Sequence, residues 1–171
     1  CDYTKGQVKG GFTVRFRVRA AAIILNKENE LLLVLHKNPH TSEQWWTMPG
    51  GALEGDESAI EAVRREVKEE CGIDCIPGKL VYVREFVMGP CKNVHHVELY
   101  FEAKADSFDI ITGMDPELEN QYIVTCRFMS REEIKNTPIN VYPEILRDRF
   151  WDHVESGFAN HDVYLGMQEQ K

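Results

Sequence analysis

A chain of 171 residues with 43% apolar and 28% charged side chains has the composition of one ordinary globular domain, 1–171, long enough to bury a sizeable core. Its formal charge of −8 argues against a nonspecific nucleic-acid or anionic-membrane surface, and it means that an anionic substrate requires a local basic patch or a bound cation. No apolar run approaches the ~20 residues that span a bilayer, no basic-then-apolar signal opens the chain, and five cysteines (Cys1, Cys71, Cys75, Cys91, Cys126) fall at no zinc-ribbon spacing. The expectation is therefore a cytoplasmic protein with reduced thiols, no membrane and no stable nucleic-acid partner.

From Phe12 to Ala20, apolar residues alternate with Thr13, Arg15, Arg17 and Arg19, the period-2 pattern of a half-buried strand, and Ala21 to Leu25 continue it as a more buried run. The polar stretch NKENE turns the chain into LLLVLH, Leu31 to His36, a second buried strand and the expected hairpin partner of the first. After the loop KNPHTSEQ, the segment WWTMPGG carries an apolar strand into a Pro-Gly-Gly turn. Ser58 to Cys71 is helical by period, with Ile60, Val63, Val67 and Cys71 on one stripe.

Strands follow at about 80–87 and 94–105, the latter with Val97, Leu99 and Phe101 facing opposite to His96, Glu98 and Tyr100. ITGMDPELEN reads as a polar loop and the segment from Tyr122 as one more strand, while Ser130 with Glu133 gives the capping-box signature of a short helix. A final helix is expected over about 143–156, from the proline in its first turn, the stripe Leu146, Phe150, Val154, and Gly157 past its end. Mixed strands with a few helices define an α/β class, a sheet with helices on its faces.

The helix over 58–71 poses an electrostatic problem. Glu66, Glu69 and Glu70 stand at i,i+3 and i,i+4 spacings, where like charges weaken a helix by roughly 0.2–0.5 kcal/mol per pair. They span about 100° of one face, beside the apolar stripe rather than opposite it, and Ala62 leaves room in the same sector. A solvated face with Arg65 paired to Glu61 and Glu69 is one reading. A hard divalent cation is the other: Mg²⁺ takes oxygen ligands and commonly combines carboxylates with waters and substrate phosphates. Upstream, MPGGALEGDE adds a turn carbonyl and the carboxylates Glu54 and Glu57, which favours the cation, and zinc is disfavoured because no His/Cys cluster shares the helix.

The stretch from Gly51 to Ile73, GALEGDESAIEAVRREVKEECGI, resembles the Nudix box at every defined position: Gly51, Glu57, Arg65, Glu66, Val67, Glu69, Glu70, Gly72 and Ile73. The resemblance covers 23 residues (51–73) and implies the family's α/β/α sandwich with a mixed sheet. It further implies Mg²⁺- or Mn²⁺-dependent hydrolysis of a pyrophosphate bond in a nucleoside diphosphate linked to another moiety, with ADP-ribose or a nucleotide sugar slightly ahead of oxidised nucleoside triphosphates. A nucleotide-sensing module without turnover is the alternative from another class. By the same resemblance, Glu66, Glu69 and Glu70, with the Gly50 carbonyl, are the expected metal ligands, and Arg65 with Glu57 orients the loop against the helix.

The general base is a box glutamate in some similar proteins and a loop carboxylate in others. Glu117 and Glu119 occupy such a loop here, and Glu119 is the preferred candidate. Arg15, Arg17, Arg19, Lys37 and Arg84 are candidate phosphate contacts, with Lys37, Arg84 and Arg19 foremost. Tyr82, Tyr100 and Tyr122 are candidates to stack a base, although aromatics on strands more often pack. Pro90 falls 17 residues beyond Ile73, close to where similar proteins acting on ADP-ribose carry a proline. His95 and His96 are adjacent on a strand and point to opposite faces, which opposes a shared ion. Many similar proteins form homodimers, though no segment here announces an interface.

Overall fold

The computed structural model describes residues 4–7, 13–88, 93–113 and 123–168. Its strands are β1 (Thr4–Gln7), β2 (Thr13–Ile23), β3 (Leu31–Lys37), β4 (Gln44–Thr47), β5 (Gly50–Ala52), β6 (Cys75–Met88), β7 (Val94–Ala105), β8 (Ile123–Met129), β9 (Asn140–Tyr142) and β10 (Tyr164–Met167). Its helices are α1 (Ala59–Cys71), α2 (Arg131–Asn136) and α3 (Phe150–Glu155). One mixed sheet runs in the order β1-β2-β7-β6-β10, with β5 also pairing β2, and a four-stranded sheet runs β8-β3-β4-β9. This is an α/β architecture with mixed strand pairing, as the sequence implies, but built on two sheets.

The expected hairpin between the first two long strands does not form. β2 and β3 belong to different sheets and meet only where Leu25 bridges Leu31 and the Leu32 N–H donates to the Ile24 carbonyl at 2.9 Å. The end of β2 from Ala20 and β3 from Leu31 to Leu35 are apolar on both faces, and such runs need cover on two sides. Ala20, Ala22 and Ile24 join Leu32 and Val34 in a core with Ala62, Val63 and Val67 of α1. Ala21 and Ile23 join Leu31, Leu33 and Leu35 in a second core closed by Ile134, Leu146, Phe150 and Trp151. Splaying the strands lets each face find its own helices.

α1 starts where the Ser58 side chain accepts from the Glu61 N–H and Glu61 returns the bond to the Ser58 N–H, a complete capping box. It stops at Gly72, whose φ of 71° is left-handed and whose N–H donates to the Lys68 carbonyl at 3.0 Å. Gly72→Ala puts a Cβ into that conformation, 3.1 Å from the Ile111 Cβ. The expected loss is about 1–2 kcal/mol, seen as a lower urea midpoint with unchanged slope; an unchanged midpoint would contradict the C-cap role.

Two further boundaries differ from expectation. β6 begins at Cys75 rather than near residue 80, because its pairing with β7 runs through Pro77 and shifts register between Pro77 and Tyr82, so Pro77-Gly78 lies inside the strand. The single helix expected over 143–156 is broken into a 3-10 turn, Glu144–Arg147, and α3. Asp148 leaves helical geometry at φ −135°, ψ −102°. The Leu146 carbonyl, which a continuous helix would pair with a main-chain N–H, accepts the Trp151 indole N–H at 2.8 Å instead. Leu146 and Phe150 still point inward, so the apolar stripe was sound while the continuity was not. Among the described residues no helix is long and apolar enough to cross a membrane.

Candidate functional site

β5 lays the Gly50–Ala52 segment antiparallel on β2, with Ala21 opposite Gly50, Ala20 opposite Gly51 and Arg19 opposite Ala52. That strip runs directly under the acidic face of α1. A Cβ at Gly51 would stand 1.9 Å from a Glu66 carboxylate oxygen, so a larger residue there would make the Glu66 carboxylate swing away from the turn. The Gly50 N–H donates to Glu70 Oε2 at 2.8 Å, and Glu70 is buried. The Gly50 carbonyl accepts from Arg19 Nη2 at 2.9 Å, and the same nitrogen donates to the Met48 carbonyl at 2.8 Å. The glycine turn is thereby fastened to the helix through Glu70 and to β2 through Arg19.

Arg65 organises the carboxylates. Its Nη2 donates to Glu57 Oε1 at 2.8 Å and to the Ala52 carbonyl at 3.1 Å, and its Nε donates to Glu57 Oε2 at 3.1 Å. Its Nη1 donates to Glu66 at 2.8 Å and to Glu69 at 3.2 Å. The Arg65 hydrogen bond holds the Glu57 carboxyl below the usual carboxylate range, and the Arg65 guanidinium is correspondingly shifted up, first by Glu57. Glu66 goes the other way: burial pushes its carboxyl up, against the pull of Arg65. It is a partly desolvated carboxylate bonded to an Arg65 that it shares with other acids, and it also feels the charge of Arg19.

The donor set suits a hard divalent cation, since Glu66, Glu69, Glu70 and the Gly50 carbonyl all offer oxygen donors beside the same turn. Among the described residues no three His, Cys, Asp or Glu side chains already converge into a metal cage. Three anions do not gather without a cation between them, and here the Arg65 guanidinium bridges Glu66 and Glu69. The fit is therefore one of chemistry and placement.

A second polar cluster lies behind the turn and was not anticipated. Glu98 is 5% exposed and receives Arg84 Nε at 2.6 Å, a bond from the Tyr100 hydroxyl, and the charge of Arg19, whose Nη1 is 3.8 Å away. Burial alone would raise the Glu98 carboxyl, but the charges of Arg19 and Arg84 and these hydrogen bonds outweigh it and leave it lowered. Arg84 also donates to Gln168 Oε1 at 3.1 Å and lies 4.8 Å from the Phe86 ring centroid. His36, stacked on Trp45, is pushed down to about 3 by burial and then by Arg19, so it is neutral at pH 7. Strand alternation was read correctly in β7, yet the buried face proves to be the one with His96, Glu98 and Tyr100. An acid and an arginine placed opposite each other, Arg84 with Glu98, was the available signal, and it required the register.

The remaining candidates scatter. Lys37 is exposed at the end of β3, and Arg15 and Arg17 are exposed on β2. Arg19 and Arg84 are buried in the Glu98 cluster. Tyr82 and Tyr100 are fully buried, the first bonded to His153 Nδ1 at 2.6 Å, so both pack. His95 bonds Glu85 and stacks on Phe16, whereas His96 stacks on Phe86, so the two histidines keep separate company. Glu117, Glu119, Tyr122 and Pro90 lie outside the described residues.

Comparison with known proteins places the chain in a family. The family model for the NUDIX domain matches residues 15–148. An 8-oxo-dGDP phosphatase of Danio rerio is 42% identical over 64 residues, 37% of this chain and 19% of that protein. The CTP pyrophosphohydrolase of Escherichia coli is 31% identical over 112 residues, 61% of this chain and 81% of that protein. Among solved structures, a NUDIX hydrolase from Nitrosomonas europaea superposes with a TM-score of 0.66 at 23% identity, covering 86% of this chain and 97% of that one, a likeness of fold. The chain belongs to the Nudix family. Its aligned region spans about a fifth of the length of the 8-oxo-dGDP phosphatase it resembles.

Proposed function

We propose that the protein is a divalent-metal-dependent pyrophosphohydrolase that cleaves the diphosphate of a nucleotide and releases a nucleoside monophosphate. The observation that carries this reading is the pairing of an acidic helix face with a glycine turn: Glu66 against Gly51, Glu70 on the Gly50 N–H. Glu66, Glu69, Glu70 and the Gly50 carbonyl would hold Mg²⁺ or Mn²⁺, which when bound neutralises the diphosphate and lowers the pKa of a coordinated water. Arg65 holds Glu57 and the Ala52 carbonyl against the helix with the same guanidinium that bonds Glu66 and Glu69. Arg19 positions the Gly50 carbonyl from behind. Its Nη1 is a buried polar atom 3.8 Å from Glu98 with no hydrogen-bond partner among the described residues, so Arg19, a candidate phosphate contact by sequence, would act on the site through the carbonyls it holds. Lys37 would meet phosphate from the exposed end of β3, and Arg84 would act through Glu98. Glu119 is the proposed acceptor of the proton of the attacking water.

A nucleoside diphosphate unit is common to the 8-oxo-dGDP phosphatase and to a putative ADP-ribose pyrophosphatase of Bacillus subtilis, 39% identical over 82 residues, 48% of this chain and 36% of that protein. Two leaving groups follow: a sugar phosphate from ADP-ribose, or inorganic phosphate from an oxidised purine nucleoside diphosphate, the latter favoured by the 42% identity to the 8-oxo-dGDP phosphatase. The test is a product-resolved screen of ADP-ribose, 8-oxo-dGDP, dGDP and CTP with Mg²⁺. Monophosphate release from one of them supports the proposal and names the leaving group. Tight binding of one nucleotide with no turnover of any would replace it with a sensor.

A further inference from the structure

The sulfur atoms of Cys71 and Cys126 lie 2.8 Å apart although the residues are 55 positions apart in the chain. Cys71 closes α1 directly after Glu70, and Cys126 stands in β8 with its Sγ donating to the Glu70 carbonyl at 3.2 Å. Burial of a thiol is unremarked in a core, where cysteine behaves as a small hydrophobe. The separation is what distinguishes this pair. It is shorter than the about 3.5–4.0 Å optimum of ordinary carbon packing, and less than about 1 Å longer than an S–S bond of about 2.03–2.05 Å. Cys75, also buried, is the nearby alternative partner and is held by no such contact among the described residues.

We propose that Cys71 and Cys126 are a reversible dithiol–disulfide pair, oxidised by a peroxide, that staples the end of the carboxylate-bearing helix to β8. Cys126, the more exposed of the two at 6% against 0%, is the sulfur oxidised first. Its thiol takes one oxygen from hydrogen peroxide to give a sulfenic acid and one water. The Cys71 sulfur then attacks the Cys126 sulfur, the S–O bond breaks, and the departing hydroxide leaves as water with the Cys71 proton. In sum two thiols lose two hydrogens and two electrons, and one peroxide becomes two waters. A dithiol reductant reverses the step by exchange. The bridge removes the Cys126 donor from the Glu70 carbonyl, while the Gly113 N–H stays on that oxygen at 2.7 Å. Formation of the bond does not depend on whether the chain hydrolyses nucleotides.

The test is non-reducing peptide mapping of the reduced chain after exposure to hydrogen peroxide, denaturation and alkylation of residual thiols. The expected result is a linked peptide pair through positions 71 and 126, lighter by two hydrogens than its reduced parts, lost on dithiothreitol treatment and retained in Cys75→Ser. The thermal midpoint of the oxidised chain should rise by about 5–15 °C, the size expected for closing a loop of this length in a domain of this size. The rise should be absent in Cys71→Ser and Cys126→Ser. Recovery of Cys71 and Cys126 as separately alkylated peptides while other thiols oxidise would overturn the proposal, as would linkage of Cys71 to Cys75. The wild-type and Cys75→Ser maps decide the matter even if the other two variants fail to fold.

Discussion

Glu70→Gln should reduce monophosphate release by more than about 100-fold, beyond the loss typical of residues that merely support a metal ligand. The substitution is informative because it keeps the shape of the side chain. The amide oxygen of glutamine still accepts the Gly50 N–H that Glu70 Oε2 accepts at 2.8 Å, so that contact is kept while the negative charge goes. Glu69→Gln should behave alike, since among the described residues its side chain is tied to the network through the Arg65 bond at 3.2 Å, and the Glu57 bonds hold Arg65 independently. The check is a steady-state assay at saturating Mg²⁺ together with a thermal melt. A full rate in either variant would remove the carboxylate from the chemistry, and a collapsed melt would show that its role is in folding.

Arg84→Met should cost the largest stability of any single change outside the cores, about 3–5 kcal/mol, because it strands a buried carboxylate. Glu98 keeps only Arg19, at 3.8 Å, as a cationic partner once the 2.6 Å bond from Arg84 is gone. The pH dependence has a definite sign. In the parent chain the Glu98 carboxyl is lowered, so its contribution is present above the ordinary carboxylate value of 4.5 and is lost as pH falls through the native value. In the variant, burial dominates and raises that carboxyl, so protonation relieves the penalty at a higher pH. The gap between the two chains, measured by urea unfolding, should therefore shrink as pH falls from 7 toward about 4. A gap that stays constant over that range would mean that Glu98 is not the source of the loss.

What was legible in the sequence, and what was not, follows from how locally each feature is specified. The acidic helix could be read because nine positions at fixed spacing constrain one turn and one helix, and the Arg65–Glu57 pair spans only eight residues. The Glu98 cluster could not, because Arg84, Glu98 and Arg19 meet across three strands and their identity as partners exists only in the register. The same holds for Cys71 with Cys126. The early half of β6 was hidden by Pro77-Gly78, which resembles a turn until the register shift that absorbs it is seen. The split of β2 and β3 between sheets was hidden for a different reason: a two-sided apolar run announces burial on both faces but not which neighbour supplies it. Arg19 shows the limit most clearly. An alternating basic residue on a strand reads as a solvent-facing charge, and the structure turns it inward to hold the Met48 and Gly50 carbonyls.

The most direct measurement is anomalous diffraction from crystals of the chain soaked in Mn²⁺. The account predicts a peak bonded to carboxylate oxygens of Glu66, Glu69 and Glu70, with Arg65 Nη1 withdrawn from Glu66 and Glu69 while Arg65 Nε and Nη2 stay on Glu57. A map with Arg65 still bridging those two glutamates and no manganese among them would contradict it.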